Sequence, residues 1–197
     1  RIATRNKDED FVRTMFVANS HDTILCFSSA GKVYWLKVYQ LPQAGRHARG
    51  RPLVNLLPLE QDERITAFLR LGEYPAGDFI FMATRNGTVK KCAISSFARP
   101  RSTGLRAIEL MDDDELVAVD LTTGTSNVLL FGSTGKAIRF HEKDVREMGR
   151  SARGVRGISL KSGQGVISMI TVEEGGSGDV LVATSKGYGK RTKLNDL

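Results

Sequence analysis

The chain repeats itself. Four segments open alike, Asp22–Gly31, Asp78–Gly87, Asn127–Gly135 and Asp179–Gly187, at spacings of 56, 49 and 52 residues. Each is a short apolar run ending in a small polar turn closed by glycine. That is how a strand entering a tight hairpin is written, because glycine supplies the positive φ such turns demand. Self-similarity at about 50 residues confines the chain to a repeat architecture, in which one unit cannot bury its own hydrophobic faces and neighbours must cover them.

The register extends past the hairpin. Ten residues beyond each turn glycine stand Leu41, Phe97, Val145 and Leu197, and a second glycine follows at Gly50, Gly104 and Gly154. After it, Val54 to Leu56, Ile108 to Leu110 and Ile158 to Leu160 alternate apolar and polar, which predicts a third strand. A fourth is predicted over Arg64 to Leu71, Glu115 to Leu121 and Val166 to Val172. Four strands per unit make a blade. Helical period is nowhere sustained over three turns, and Glu142 to Met148 admits one short helix at most. The expected fold is all-β, a propeller-like disc with a partial set of four-stranded blades. Its blades run over 22–77, 78–126 and 127–178, with part of another at 179–197, in a single repeat domain covering 1–197. Residues 1–21 are expected to supply a strand that completes an upstream or closing blade. The opening Arg1-Ile2-Ala3-Thr4-Arg5 has neither an initiator methionine nor an apolar signal core, so the chain reads as a piece of a longer polypeptide.

Charge is where composition matters. The 197 residues carry 29 Lys and Arg against 22 Asp and Glu, a net charge of +7. The excess is positional. The loop before each third strand is basic, at 45–51 (Arg46, Arg49, Arg51), 99–106 (Arg99, Arg101, Arg106) and 149–156 (Arg150, Arg153, Arg156). These three windows hold nine basic residues and no acid. The second strand adds Trp35, Lys91, Arg139 and Arg191 four residues past the turn glycine, with Lys90 and Lys190 one place earlier. Equivalent loops of equivalent blades lie on one rim, so the clusters are expected to merge into a curved band of charge that attracts a stiff polyanion such as duplex DNA. Arginine suits forked contacts to phosphate oxygens. With no helix to enter a groove and no zinc motif, the contacts expected are to phosphate and not to bases.

Other chemistry has little to stand on. His21, His47 and His141 lack partners at metal or triad spacing, and Tyr34, Tyr39, Tyr74 and Tyr188 read as core or rim. Asp112 to Glu115 reads as a solvated turn, and Trp35 is expected between blades. Cys26 and Cys92, 66 residues apart in strand-like runs, are expected buried and reduced, as in a cytoplasm. No stretch approaches the roughly 18 apolar residues of a membrane helix, and no membrane partner is expected.

Several motifs in fixed order are familiar. Val38-Tyr39-Gln40-Leu41-Pro42, Ala48-Arg49-Gly50-Arg51-Pro52, Leu57-Pro58-Leu59, Asn86-Gly87-Thr88-Val89-Lys90-Lys91, Gly154-Val155-Arg156-Gly157-Ile158 and Gly187-Tyr188-Gly189-Lys190-Arg191 resemble the C-terminal domain family of the A subunits of bacterial DNA gyrase. The likeness runs the whole chain and is strongest from Asp8 to Leu121; topoisomerase IV is similar, less closely. The resemblance implies a β-pinwheel whose blades exchange a strand with their neighbours. It also implies a role in wrapping double-stranded DNA around the rim, without sequence specificity, to assist ATP-dependent negative supercoiling. The implied partners are the rest of the A subunit, plus the B subunit, in a cytoplasmic, nucleoid-associated complex. The family's cleavage tyrosine and ATPase lie outside these residues, so the fragment by itself is expected not to be an enzyme and to hold no cofactor, ATP and magnesium belonging to the parent complex. The family's basic, glycine-rich box belongs just before Arg1, and about two further blades are missing, so binding without a completed chiral wrap is expected. A propeller-like scaffold for an acidic protein, or the equivalent topoisomerase IV domain, are the alternatives.

Overall fold

In the computed structural model, residues 14–45, 50–72, 77–184 and 186–196 are described. Among these the chain is strands, turns and single 3-10 turns, with no α-helix. Four antiparallel hairpins carry the repeat: β1 (Thr23–Ser28) with β2 (Lys32–Lys37), β4 (Phe79–Thr84) with β5 (Thr88–Ala93), β8 (Ser126–Gly132) with β9 (Ala137–His141), and β12 (Asp179–Ala183) with β13 (Gly189–Lys193). The predicted fourth strand follows as β3 (Ile65–Leu71), β7 (Leu116–Thr122) and β11 (Val166–Glu173), each paired to the first strand of its own hairpin.

The remaining strand is not where the alternation predicted it. β6 (Leu105–Arg106) and β10 (Val155–Arg156) are two residues long and lie just before 108–110 and 158–160. Each leaves its own repeat to pair with the second strand of the preceding one, giving the sheet orders β3-β1-β2-β6 and β10-β5-β4-β7. In the first repeat, Leu53–Asn55 forms a 3-10 turn and no strand. Residues 14–21 form no strand either, and 1–13 lie outside the described residues. The period-2 signal at Ile108 and Ile158 is real but has another cause: both side chains are buried where the donated segment packs against the turn of the preceding repeat.

The turn glycines make the donation possible. The Gly31 carbonyl accepts the amides of Ala107 at 2.8 Å and Ile108 at 3.2 Å, and the Gly87 carbonyl accepts Gly157 at 2.9 Å and Ile158 at 3.3 Å. The chains approach so closely that a Cβ on Gly87, whose φ is +89°, would meet the Ile158 carbonyl oxygen at 2.7 Å.

Strand alternation explains why the central strands read as unbroken apolar runs: they are covered on both faces. From β4, Ile80 and Met82 pack with Leu25, Phe27 and Val33 of the first repeat, while Phe81 and Ala83 pack with Val128 and Leu130 of the third. From β8, Leu129 turns the other way, to Val180 and Leu194 of the fourth repeat. β3 packs beside β7, and β7 beside β11. The sheets therefore converge on these strands, and β6 and β10 form the opposite, outer edges.

Cys26 and Cys92 are unpaired and buried. Burial raises both thiols, Cys26 to about 12.

Candidate nucleic-acid interface

The outer edge is where the basic loops lie. Arg106 is exposed on β6, opposite Lys32, and Arg156 is exposed on β10, opposite Thr88. Both residues face the second strand of the preceding repeat. Arg51, Arg99 and Arg101 are exposed, and Arg150 is half-buried. Arg46 and Arg49 lie outside the described residues.

The third basic loop touches the segment that follows the second, at Glu109. The Glu109 amide donates to the Ala152 carbonyl at 3.3 Å, and the Arg153 guanidinium lies 3.4 Å from the Glu109 carboxylate. Loop 149–156 is anchored to β5 at both ends, through the Met148 amide on the Lys91 carbonyl at 2.8 Å and through β10. The Arg153–Glu109 pair is exposed, so it is worth at most about 1 kcal/mol and leaves the guanidinium available to an anion.

The second-strand cations behave differently. Lys90 is fully buried and Lys91 is 6% exposed, which removes both from the surface track. Lys90 Nζ donates to the carbonyls of Ala107 at 2.7 Å and Arg150 at 2.5 Å. Burial lowers its pKa to about 8, with Arg150 adding to the push and Cys92 opposing it. Lys91 Nζ donates to the Glu142 carbonyl at 2.9 Å, stands 3.7 Å from its carboxylate and lies 5.0 Å from the Phe79 ring centre. Arg139 is half-buried and donates to the Leu194 carbonyl at 3.0 Å. Trp35, at the same register position, donates its indole N–H to the Phe97 carbonyl at 3.1 Å. The position four residues past the turn glycine is therefore a latch onto the 3-10 turn of the next repeat. Lys190 and Arg191 in the fourth repeat are exposed, Arg191 within 3.1 Å of Asp179.

Sequence reasoning missed Glu142. Its carboxylate is fully buried and accepts from the Thr122 hydroxyl and the amides of Gly124 and Ser126. The signal was available: seven residues past the turn glycine the other repeats carry Val38, Ile94 and Leu194, so an acid there, opposite the Lys91 latch, marks an internal ion pair.

The profile of the family described as DNA gyrase C-terminal domain, beta-propeller, matches residues 22–71, 78–123, 126–173 and 178–197. The chain belongs to this family. The A subunit of DNA gyrase from Salmonella typhimurium is 57% identical over 196 residues, covering 100% of this chain and 22% of the relative. The A subunit of DNA gyrase from Escherichia coli is 57% identical over 194 residues, 98% of this chain and 22% of that protein. This chain thus spans about a fifth of the length of these gyrase subunits. The solved C-terminal domain of DNA topoisomerase IV superimposes with a TM-score of 0.84 at 30% identity, covering 98% of this chain and 60% of that one. A DNA gyrase A C-terminal domain superimposes with a TM-score of 0.74 at 24% identity over 90% of this chain and 56% of that one, a likeness of fold. In these family members, as here, the fold is the β-pinwheel, and the donation of β6 and β10 is the strand exchange that distinguishes it from an ordinary propeller.

Proposed function

We propose that this chain binds duplex DNA along its outer edge and bends it there, as the C-terminal module of a gyrase A subunit. The observation that carries the reading is the contact of loop 149–156 with Glu109, three residues past loop 99–106, which sets two acid-free arginine clusters of successive repeats beside each other. Neighbouring clusters let one stiff duplex be held at several phosphates together, and those contacts offset the several kcal/mol that bending costs. Arg51, Arg99, Arg101, Arg106, Arg150, Arg153, Arg156, Lys190 and Arg191 are the contact residues, together with Arg46 and Arg49. Contacts run to phosphate, so binding tolerates any sequence.

In the parent assembly the module works with the rest of the A subunit, plus the B subunit, in the bacterial cytoplasm at the nucleoid, and presents bent DNA for ATP-dependent negative supercoiling. Strand cleavage, ATP and magnesium belong to those other parts, and this chain is a binding module without chemistry of its own. Among the described residues no helix is long and apolar enough to cross a membrane.

The test is duplex affinity as a function of salt. Six to ten phosphate contacts produce a loss of about 10³ to 10⁵ between 50 and 200 mM salt. Affinity unchanged over that range overturns the reading.

A further inference from the structure

Among the described residues, Lys90 is a cation without an anion. Its side chain is fully buried, and none of the ion pairs among the described residues includes it. Its acceptors are two carbonyls at the joints of the basic loops: Ala107 directly follows loop 99–106, and Arg150 opens loop 149–156. One ammonium thus holds the backbones of two successive basic loops.

The first repeat solves the same position differently. Tyr34, also three residues past its turn glycine, lies under Gly104 of loop 99–106, where a Cβ would come within 2.6 Å of its ring. Its hydroxyl donates to both oxygens of Glu63, at 3.0 and 2.9 Å. A neutral ring with an acid of its own suffices to support one loop. Lys90 reaches two loops and has no such acid.

Removing an ammonium from water is expensive, and carbonyl dipoles offset only part of the cost. The titratable groups facing Lys90 are Cys92 from its own strand and Arg150 from the loop; the guanidinium opposes its charge, and the protonated thiol supplies no anion. Glu142 is committed to Lys91. The absent counter-charge is what a docked phosphate would bring.

We propose that Lys90 is a positioning residue and an internal charge of the DNA track, pinning the two loops in register and gaining its counter-ion only when phosphates dock above it. This rests on the DNA-binding reading. It carries two consequences. Without Lys90 the two loops no longer present their arginines to one duplex together, so fewer phosphates are engaged at once. With it, an approaching phosphate favours the charged form, so near pH 8, where the ammonium is half ionised, binding takes up protons.

The experiment titrates the full chain with duplex near pH 8 in two buffers of different ionisation enthalpy, across a range of salt, for the unaltered chain, Lys90→Met and Arg153→Ala. The unaltered chain takes up a fraction of a proton. Lys90→Met takes up none, binds about tenfold more weakly, and flattens the slope of log affinity against log salt by about 1 to 2. Arg153→Ala weakens binding but keeps the uptake. Salt-dependent binding by the unaltered chain without proton uptake overturns this inference and leaves the DNA reading standing; it needs no variant, so it decides even where Lys90→Met does not fold. A Lys90→Met chain that keeps slope and uptake overturns it as well. Absence of salt-dependent binding by the unaltered chain overturns both.

Discussion

Lys91 and Glu142 belong to different repeats and are joined twice, by a 2.9 Å hydrogen bond to the Glu142 main-chain carbonyl and by an ion pair at 3.7 Å. Glu142 in turn accepts from Thr122, Gly124 and Ser126, so the pair ties β5, β7 and the start of β8 into one buried node. Lys91→Met leaves a carboxylate inside the protein without its cation. Losing one partner of a buried pair costs about 3–5 kcal/mol, read as a fall in the urea midpoint. Lys91→Met combined with Glu142→Gln costs less than Lys91→Met alone. Equal losses would show that the charge pairing contributes nothing.

Arg106 and Arg156 give the opposite result. Both are exposed on donated strands, and no ion pair among the described residues involves either. Replacing both with alanine lowers the salt slope of duplex binding by about 0.9 for each phosphate lost, while the melting temperature stays within a degree or two. A large drop in melting temperature would assign them to the fold.

Gly87 and Gly135 share a positive φ, +89° and +81°, but differ in surroundings. A Cβ at 135 meets nothing within 4 Å, so valine there bears mainly the backbone strain, about 1–2 kcal/mol. Valine at 87 also collides with the Ile158 carbonyl at the strand-exchange joint and costs more than about 4 kcal/mol. Comparable destabilisation in thermal melts would mean that the joint yields.

Cys26 sets an alkaline limit. Burial holds its thiol at about 12 against an ordinary 9. Below pH 9 the thiol is neutral in both states and contributes no pH dependence. Above it the unfolded chain loses the proton first, so the unfolded state binds fewer protons and stability falls as pH rises from 9 towards 12. Cys26→Ala is less stable at pH 7 because of its cavity, yet loses less on going from about pH 9 to about pH 11. Parallel pH curves would remove the thiol from the account.

The hairpins and β3, β7 and β11 were legible because their signals are local: an apolar run, a turn, a glycine. β6 and β10 were not. Each is two residues long, and its partner lies in another repeat, which a periodicity within one repeat cannot reveal. The loop arginines were found by counting charge, but Lys90 and Lys91 misled, because lysine is so rarely buried that a basic pair reads as surface. The correction was written in the first repeat, where Tyr34 and Trp35 occupy the same two register positions and mark them as interior. Arg139 belongs with Trp35 for the same reason.

The two-residue donated strands also decide where a mechanical load goes. Tension applied at Arg156 does not fall first on the sheet of the third repeat; it is delivered through Val155–Arg156 to β5 and through Gly157 and Ile158 to the Gly87 carbonyl. Pulling along the edge therefore draws each repeat against its predecessor, in shear across several backbone hydrogen bonds together, so a taut filament would tighten the stack instead of peeling one unit away.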